Sequence, residues 1–139
     1  LDAYIDPETR PRHRYSIPPF NMKILNMKYY PEKDSRKDPL ASPVYMTAEQ
    51  AGSIPDSIVI SCSMDSLRQD ADRYVSVLKE AGVFVEHIEY EEAVHGFIEM
   101  VAAGKINRVW WVGKTLINRQ KDLYTNAIDR ICDFITERL

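Results

Sequence analysis

The stretch Ser57-Ile58-Val59-Ile60-Ser61-Cys62, which runs on into Ser63-Met64-Asp65-Ser66, decides how the fold is read. It follows the turn pair Pro55-Asp56 and is short, apolar and rich in β-branched residues, the pattern of a strand buried on both faces in a parallel sheet. Beyond it, Leu67, Ala71, Tyr74, Leu78 and Ala81 recur at spacings of 4, 3, 4 and 3. That spacing puts all five on one helical face and leaves Arg68, Asp72, Arg73, Lys79 and Glu80 mostly to solvent. Gly82 ends the helix as a left-handed cap would. Val83 to Tyr90 supplies a second strand, less apolar because Glu86, His87 and Glu89 interrupt it. Strand, helix and strand over residues 57–90 make one βαβ unit, for which a right-handed crossover is expected.

Outward from this unit the pattern changes. Seven of the eight prolines fall within the first 43 residues, so regular structure there must be short, and residues 1–43 read as an irregular, cap-like segment. Between Pro19 and Pro31, the residues Phe20, Ile24, Leu25, Met27, Tyr29 and Tyr30 predict about two turns of helix with Asn21 as its cap. On the other side, residues 91–119 hold a histidine loop and a segment in which Val109-Trp110-Trp111-Val112 reads equally as a helical turn or an extended plug. Tyr124, Ile128, Ile131, Ile135 and Leu139, at spacings of 4, 3, 4 and 4, predict a terminal amphipathic helix over 120–139.

At 139 residues, with 45% apolar and 28% charged side chains, the chain suits one domain with a packed core. Its net charge of −3 and scattered basic residues give nucleic acid no surface to follow. Cys62 and Cys132 lie far apart, with neither the spacing of a zinc site nor a disulfide framework. No apolar run approaches the roughly 18–20 residues that span a bilayer, and Leu1-Asp2-Ala3-Tyr4 resembles no signal peptide, so a soluble, cytoplasmic chain without a membrane partner is expected.

Parallel α/β sheets carry their chemistry in the loops at the carboxyl ends of strands. Here the first strand leads into Asp65 and the second into Glu91-Glu92-Ala93-Val94-His95-Gly96-Phe97. An acid after one strand and an imidazole after its neighbour could meet, as the orienting half of a Ser–His–Asp relay does. Asp65 could also simply cap the following helix, and Ser66 with Gln69 has the spacing of a capping box. Cys62, inside an apolar strand, reads as an inert buried thiol. His13 and His87 read as structural, Glu91 and Glu92 as a solvated turn, and Trp110 and Trp111 as core packing.

The series Asp38-Pro39-Leu40-Ala41-Ser42-Pro43, Asp65-Ser66-Leu67-Arg68 with Tyr74, Ala81-Gly82-Val83 and His95-Gly96-Phe97, in this order, resembles the C-terminal part of an α/β-hydrolase of the hormone-sensitive-lipase-like esterase branch. The resemblance implies an α/β class with a partial α/β-hydrolase fold. It also implies Asp65 as triad acid, His95 as general base, a small-molecule ester substrate and no metal or organic cofactor. The segment before the acid helps form the cap in relatives, so Phe20, Met22 and Met27 are candidates to line a substrate pocket, with a helix packed on the body as the equal alternative; Phe97, beside the histidine, is a further pocket candidate. The family also uses a G-x-S-x-G nucleophile elbow and an HGG-type oxyanion loop earlier in its chain. Neither motif occurs in these 139 residues: Gly52, Gly82, Gly96, Gly104 and Gly113 include no pair flanking a serine. A fragment that starts after the nucleophile, opening on Leu1 rather than methionine, and inactive by itself is the expectation. The alternative is a non-catalytic truncated α/β domain that forms a homodimer or larger homo-oligomer through a bare sheet edge or apolar face.

Overall fold

Local signals start and stop most of the elements. A computed structural model describes residues 24, 27–30, 32, 34–108 and 113–138. Tight 3-10 turns occupy Asp34–Lys37 and Pro43–Tyr45. Helix α1 (Ala48–Gly52) opens with a capping box in which Thr47 and Gln50 bond each other's backbone. Strand β1 (Ser57–Cys62), helix α2 (Arg68–Glu80) and strand β2 (Val85–Tyr90) follow, then helix α3 (Phe97–Ala102), a 3-10 turn at Ile106–Arg108 and the long helix α4 (Lys114–Arg138). No helix among the described residues is long and apolar enough to cross a membrane. Asn21, the expected cap, and Trp110 and Trp111 lie outside the described residues; Ile24 and Met27 to Tyr29 are helical.

The two strands pair in parallel, in register from Ser57 opposite Val85 to Cys62 opposite Tyr90. Because side chains alternate along each strand, the pair has two faces. Val59, Ser61, His87 and Glu89 turn to α2: Arg68 pairs with Glu89, and Ser61 Oγ lies 3.0 Å from His87 Nε2. Ile60, Cys62, Ile88 and Tyr90 turn to α4 and meet Leu123 and Ala127 in the core. There the Tyr90 hydroxyl donates to Asn126 Oδ1 at 2.8 Å and Arg130 pairs with Glu86. At the far end of α4, Phe134 stacks on Phe84, while Arg138 sits 3.5 Å over the Phe84 ring and pairs with Asp56.

Gly82 closes α2 as the sequence predicts. Its φ is +82°, and its N–H and that of Val83 bond the Lys79 and Leu78 carbonyls, so two carbonyls left over by the helix are satisfied. The Val83 N–H is thereby committed to the helix end, and β2 starts at Val85 rather than Val83.

Three expectations are corrected. β1 is not buried on both faces along its length: Ser57 to Ile60 are half-buried, because among the described residues the sheet has two strands and β1 keeps an open edge. The terminal helix begins at Lys114, directly after Gly113 (φ +79°), not at 120. Its buried face is Gln120, Leu123, Ala127 and Phe134, so Tyr124, Ile128 and Ile131 flank that face and Ile135 is exposed. The isoleucines are more apolar than the residues that actually face the sheet, and they pull the apparent stripe round the helix.

On α2, Val75 and Leu78 are buried, and Leu78 has no exposed surface. Leu78→Ala is expected to lower the unfolding free energy by about 2–5 kcal/mol in chemical denaturation. A loss under about 1 kcal/mol would mean that α2 is not packed as described.

Candidate active site

Parallel pairing sets the ends of β1 and β2 side by side, so the loops that leave them run together. The Ser63 N–H bonds the Tyr90 carbonyl, and the Met64 N–H bonds the Ala93 carbonyl at 3.2 Å. Asp65 follows, buried, with its N–H on the Cys62 carbonyl. One carboxylate oxygen, Oδ1, accepts the Leu67 N–H at 3.0 Å and so holds the side chain in one orientation. The other, Oδ2, lies 2.7 Å from His95 Nδ1. Asp65 thus meets the imidazole but does not cap the helix as the sequence also allowed: its carboxylate closes a turn onto the Leu67 N–H, and Leu67, with no side-chain cap bond, stands at the N-cap of α2. The expected capping box at Ser66 does not form: α2 starts at Arg68, and Ser66 Oγ has no hydrogen-bond partner among the described residues.

On the other loop, His95 is followed by Gly96 at φ +70°, a left-handed conformation that turns the chain directly into α3. A Cβ there would meet Glu99 and Met100 at no less than 3.7 Å, so the backbone angle rather than space calls for glycine. Phe97 then buries its ring against Tyr90, with centroids 5.6 Å apart. The His-Gly-Phe triplet thus has a mechanical meaning: imidazole, hinge, anchor.

The His95 side chain keeps 45% of its surface exposed, whereas that of Asp65 keeps 11%. The hydrogen bond to Asp65 raises the His95 pKa above its ordinary 6.5; partial burial opposes this, and the charges of Asp65 and Glu99 add to it. An ionised carboxylate can only accept, so Nδ1 carries the proton and Nε2 is the basic nitrogen. Nε2 has no hydrogen-bond partner among the described residues. Such a pair is chemically able to serve as an oriented base, because the hydrogen bond fixes the ring and stabilises its protonated form.

The other candidates separate cleanly. Cys62 is buried under this loop and its thiol is pushed up to about 12, by burial first and then by Asp65, Glu99 and Glu89, so it is no thiolate nucleophile. Of the expected pocket residues, Phe20 and Met22 lie outside the described residues and Met27 is 59% exposed. Phe97, at 2% exposure, is corrected from pocket wall to core, since its ring is spent on Tyr90. His87 meets Ser61 under α2, away from the pair, and His13 lies outside the described residues. Glu91 and Glu92 are exposed as expected, but Glu92 has φ +63° and pairs with Arg119 at 3.3 Å. Sequence reading missed Ser63, whose Oγ accepts the Glu92 N–H, and Gln120, fully buried in α4 and bonded to the same loop. One signal existed for Gln120: with Leu116, Leu123 and Ala127 it continues a helical stripe at spacings of 4, 3 and 4.

Residues 2–99 match a family model described as alpha/beta hydrolase fold, well over half of the chain. The chain belongs to the α/β-hydrolase fold family. Within it, the chain is similar to arylacetamide deacetylase of Oryctolagus cuniculus, 36% identical over 84 residues, covering 60% of this chain and 20% of that protein. Arylacetamide deacetylase-like 2 of Homo sapiens is 27% identical over 93 residues, covering 67% and 21%. The chain thus spans about a fifth of the length of the curated relatives it matches. Among solved structures, a mutant of the esterase rPPE superposes with TM-score 0.63 at 21% identity over 88% of this chain and 38% of that one. Carboxyl esterase 2 from Tuber melanosporum gives 0.57 at 20% identity over 73% and 35%. The family match and the structural neighbours agree on a partial α/β-hydrolase fold.

In a histidine titration followed by NMR, His95 of this α/β-hydrolase chain is expected to have its midpoint above 6.5, and Asp65→Asn to bring it down. The sign for stability follows. A raised folded-state pKa gives stability that is fully present below 6.5 and is lost as pH rises through the folded midpoint. Thermal melts at about pH 6 and about pH 9 should therefore differ more in the wild type than in Asp65→Asn. Equal differences would show that the pair contributes nothing to folding.

Proposed function

We propose that this chain supplies the acid and the base of a serine carboxylic-ester hydrolase centre, with Asp65 as the orienting acid and His95 as the general base. The observation that carries this reading is the 2.7 Å contact between Asp65 Oδ2 and His95 Nδ1 beside an exposed imidazole. In the reaction, a serine hydroxyl attacks the acyl carbonyl and its proton passes to His95 Nε2. The imidazolium, steadied by Asp65, returns that proton to the departing alcohol or amine. Water then attacks the acyl-serine and gives a proton to Nε2, which passes it to the departing serine oxygen, so the carboxylic acid leaves and the free hydroxyl and neutral imidazole are restored. Relatives named arylacetamide deacetylase and solved esterases of the same fold support acyl transfer to water, on small-molecule esters or aryl amides.

These 139 residues hold no G-x-S-x-G, the elbow that carries the serine in such centres. The chain as it stands is therefore proposed to be catalytically silent. With para-nitrophenyl acetate, the wild type, His95→Ala and Cys62→Ala should all match the background rate. Turnover abolished in His95→Ala and kept in Cys62→Ala would reveal a nucleophile within the sequence.

A second reading, assembly, is favoured by one observation. Among the described residues the two strands each leave one edge unpaired, and Phe84 and Ile135 are exposed at 43% and 47%. A second copy of the chain would cover such an edge. Light scattering at high micromolar concentration should then report a dimer or larger species, and a clean monomer removes this reading.

A further inference from the structure

We propose that Gln120 is a positioning residue for His95: its buried amide holds the loop that presents the imidazole to Asp65. The proposal rests on the acid–base reading above and adds a residue from a helix some 25 positions further along the chain.

The loop leaves β2 at Tyr90 and enters α3 at Phe97. Its backbone from 92 to 94 is bonded group by group. The Glu92 N–H goes to Ser63 Oγ at 2.9 Å, the Ala93 N–H to the Tyr90 carbonyl at 3.3 Å, the Ala93 carbonyl to the Met64 N–H at 3.2 Å, and the Val94 carbonyl to the Phe97 N–H at 3.2 Å. The two groups that remain are taken by one side chain. Gln120 Oε1 accepts the Val94 N–H at 3.0 Å, and Gln120 Nε2 donates to the Glu92 carbonyl at 2.9 Å. An acceptor for one residue's N–H and a donor for the carbonyl two residues earlier is what a neighbouring strand offers a strand edge. The amide acts as a one-residue substitute for that strand.

Two features make this more than packing. Gln120 has no exposed surface, and an amide so buried is tolerable only with both ends bonded; here both ends go to the same loop. Glu92 is also held at φ +63°, which an L side chain resists, so the loop has a reason to relax once its bonds are removed. Val94 directly precedes His95. Rotation of the peptides at 92–94 would carry the imidazole away from Asp65, and a bond of 2.7 Å tolerates only small displacement before it weakens.

The test is a histidine titration of the isotope-labelled 139-residue chain, together with detection of the low-field Nδ1–H signal of His95. Gln120→Met keeps the length and volume of the side chain without its hydrogen bonds. It is expected to lose the low-field signal and to bring the His95 midpoint down toward 6.5. Should Gln120→Met fail to fold, Gln120→Leu carries the test: it is smaller, apolar and equally without hydrogen bonds to Val94 and Glu92, and should show the same loss. A folded Gln120 variant with the wild-type midpoint and signal would overturn the proposal and leave the Asp65–His95 reading intact. A wild type that shows neither the raised midpoint nor the signal would overturn both.

Discussion

The hydrogen bond between His95 and Asp65 joins two loops that have no contact in sequence, and it exists because β1 and β2 run in the same direction in a fixed register. With Cys62 opposite Tyr90, a residue three places past one strand and a residue five places past the other come within reach. A shift of that register would move each strand's side chains to the opposite face and carry the loops apart. The elements packed on the strands serve this register. α2 pins β2 through Arg68 and Glu89, and α4 pins it from the other side through Asn126 and Arg130.

The same geometry explains the division of labour between the two side chains. Asp65 is buried and tied at both carboxylate oxygens, one to the backbone at Leu67 and one to the imidazole, so it cannot turn toward solvent. His95 is half exposed and presents its basic nitrogen outward. A rigid acid behind an accessible base is the arrangement that lets an imidazole accept a proton from a hydroxyl and release it again.

Elements whose signals are local were legible in the sequence. β1 reads from its β-branched run, α2 from its apolar spacing, and the end of α2 from Gly82. Asp65 and His95 were legible for a different reason: parallel strands put chemistry at their carboxyl ends, and both residues stand there. What was not legible depends on tertiary partners. Ser66 and Gln69 have capping-box spacing, but Asp65 takes the turn and the helix starts at Arg68, one residue later than a Ser66 cap would need. Phe97 beside the histidine looks like a pocket wall until Tyr90 is seen to claim its ring. Gln120, next to Lys121 and Asp122, looks solvated, and only the loop above it shows why an amide belongs in that core.

The most direct measurement is labelling of the natural gene product with a serine-directed fluorophosphonate, in wild type and in His95→Ala, with mapping of the labelled peptide. An acid–base role for Asp65 and His95 predicts label on the serine of a G-x-S-x-G peptide outside these 139 residues, and its loss in His95→Ala. Equal labelling in the two proteins, or a natural product in which no serine reacts, would contradict it.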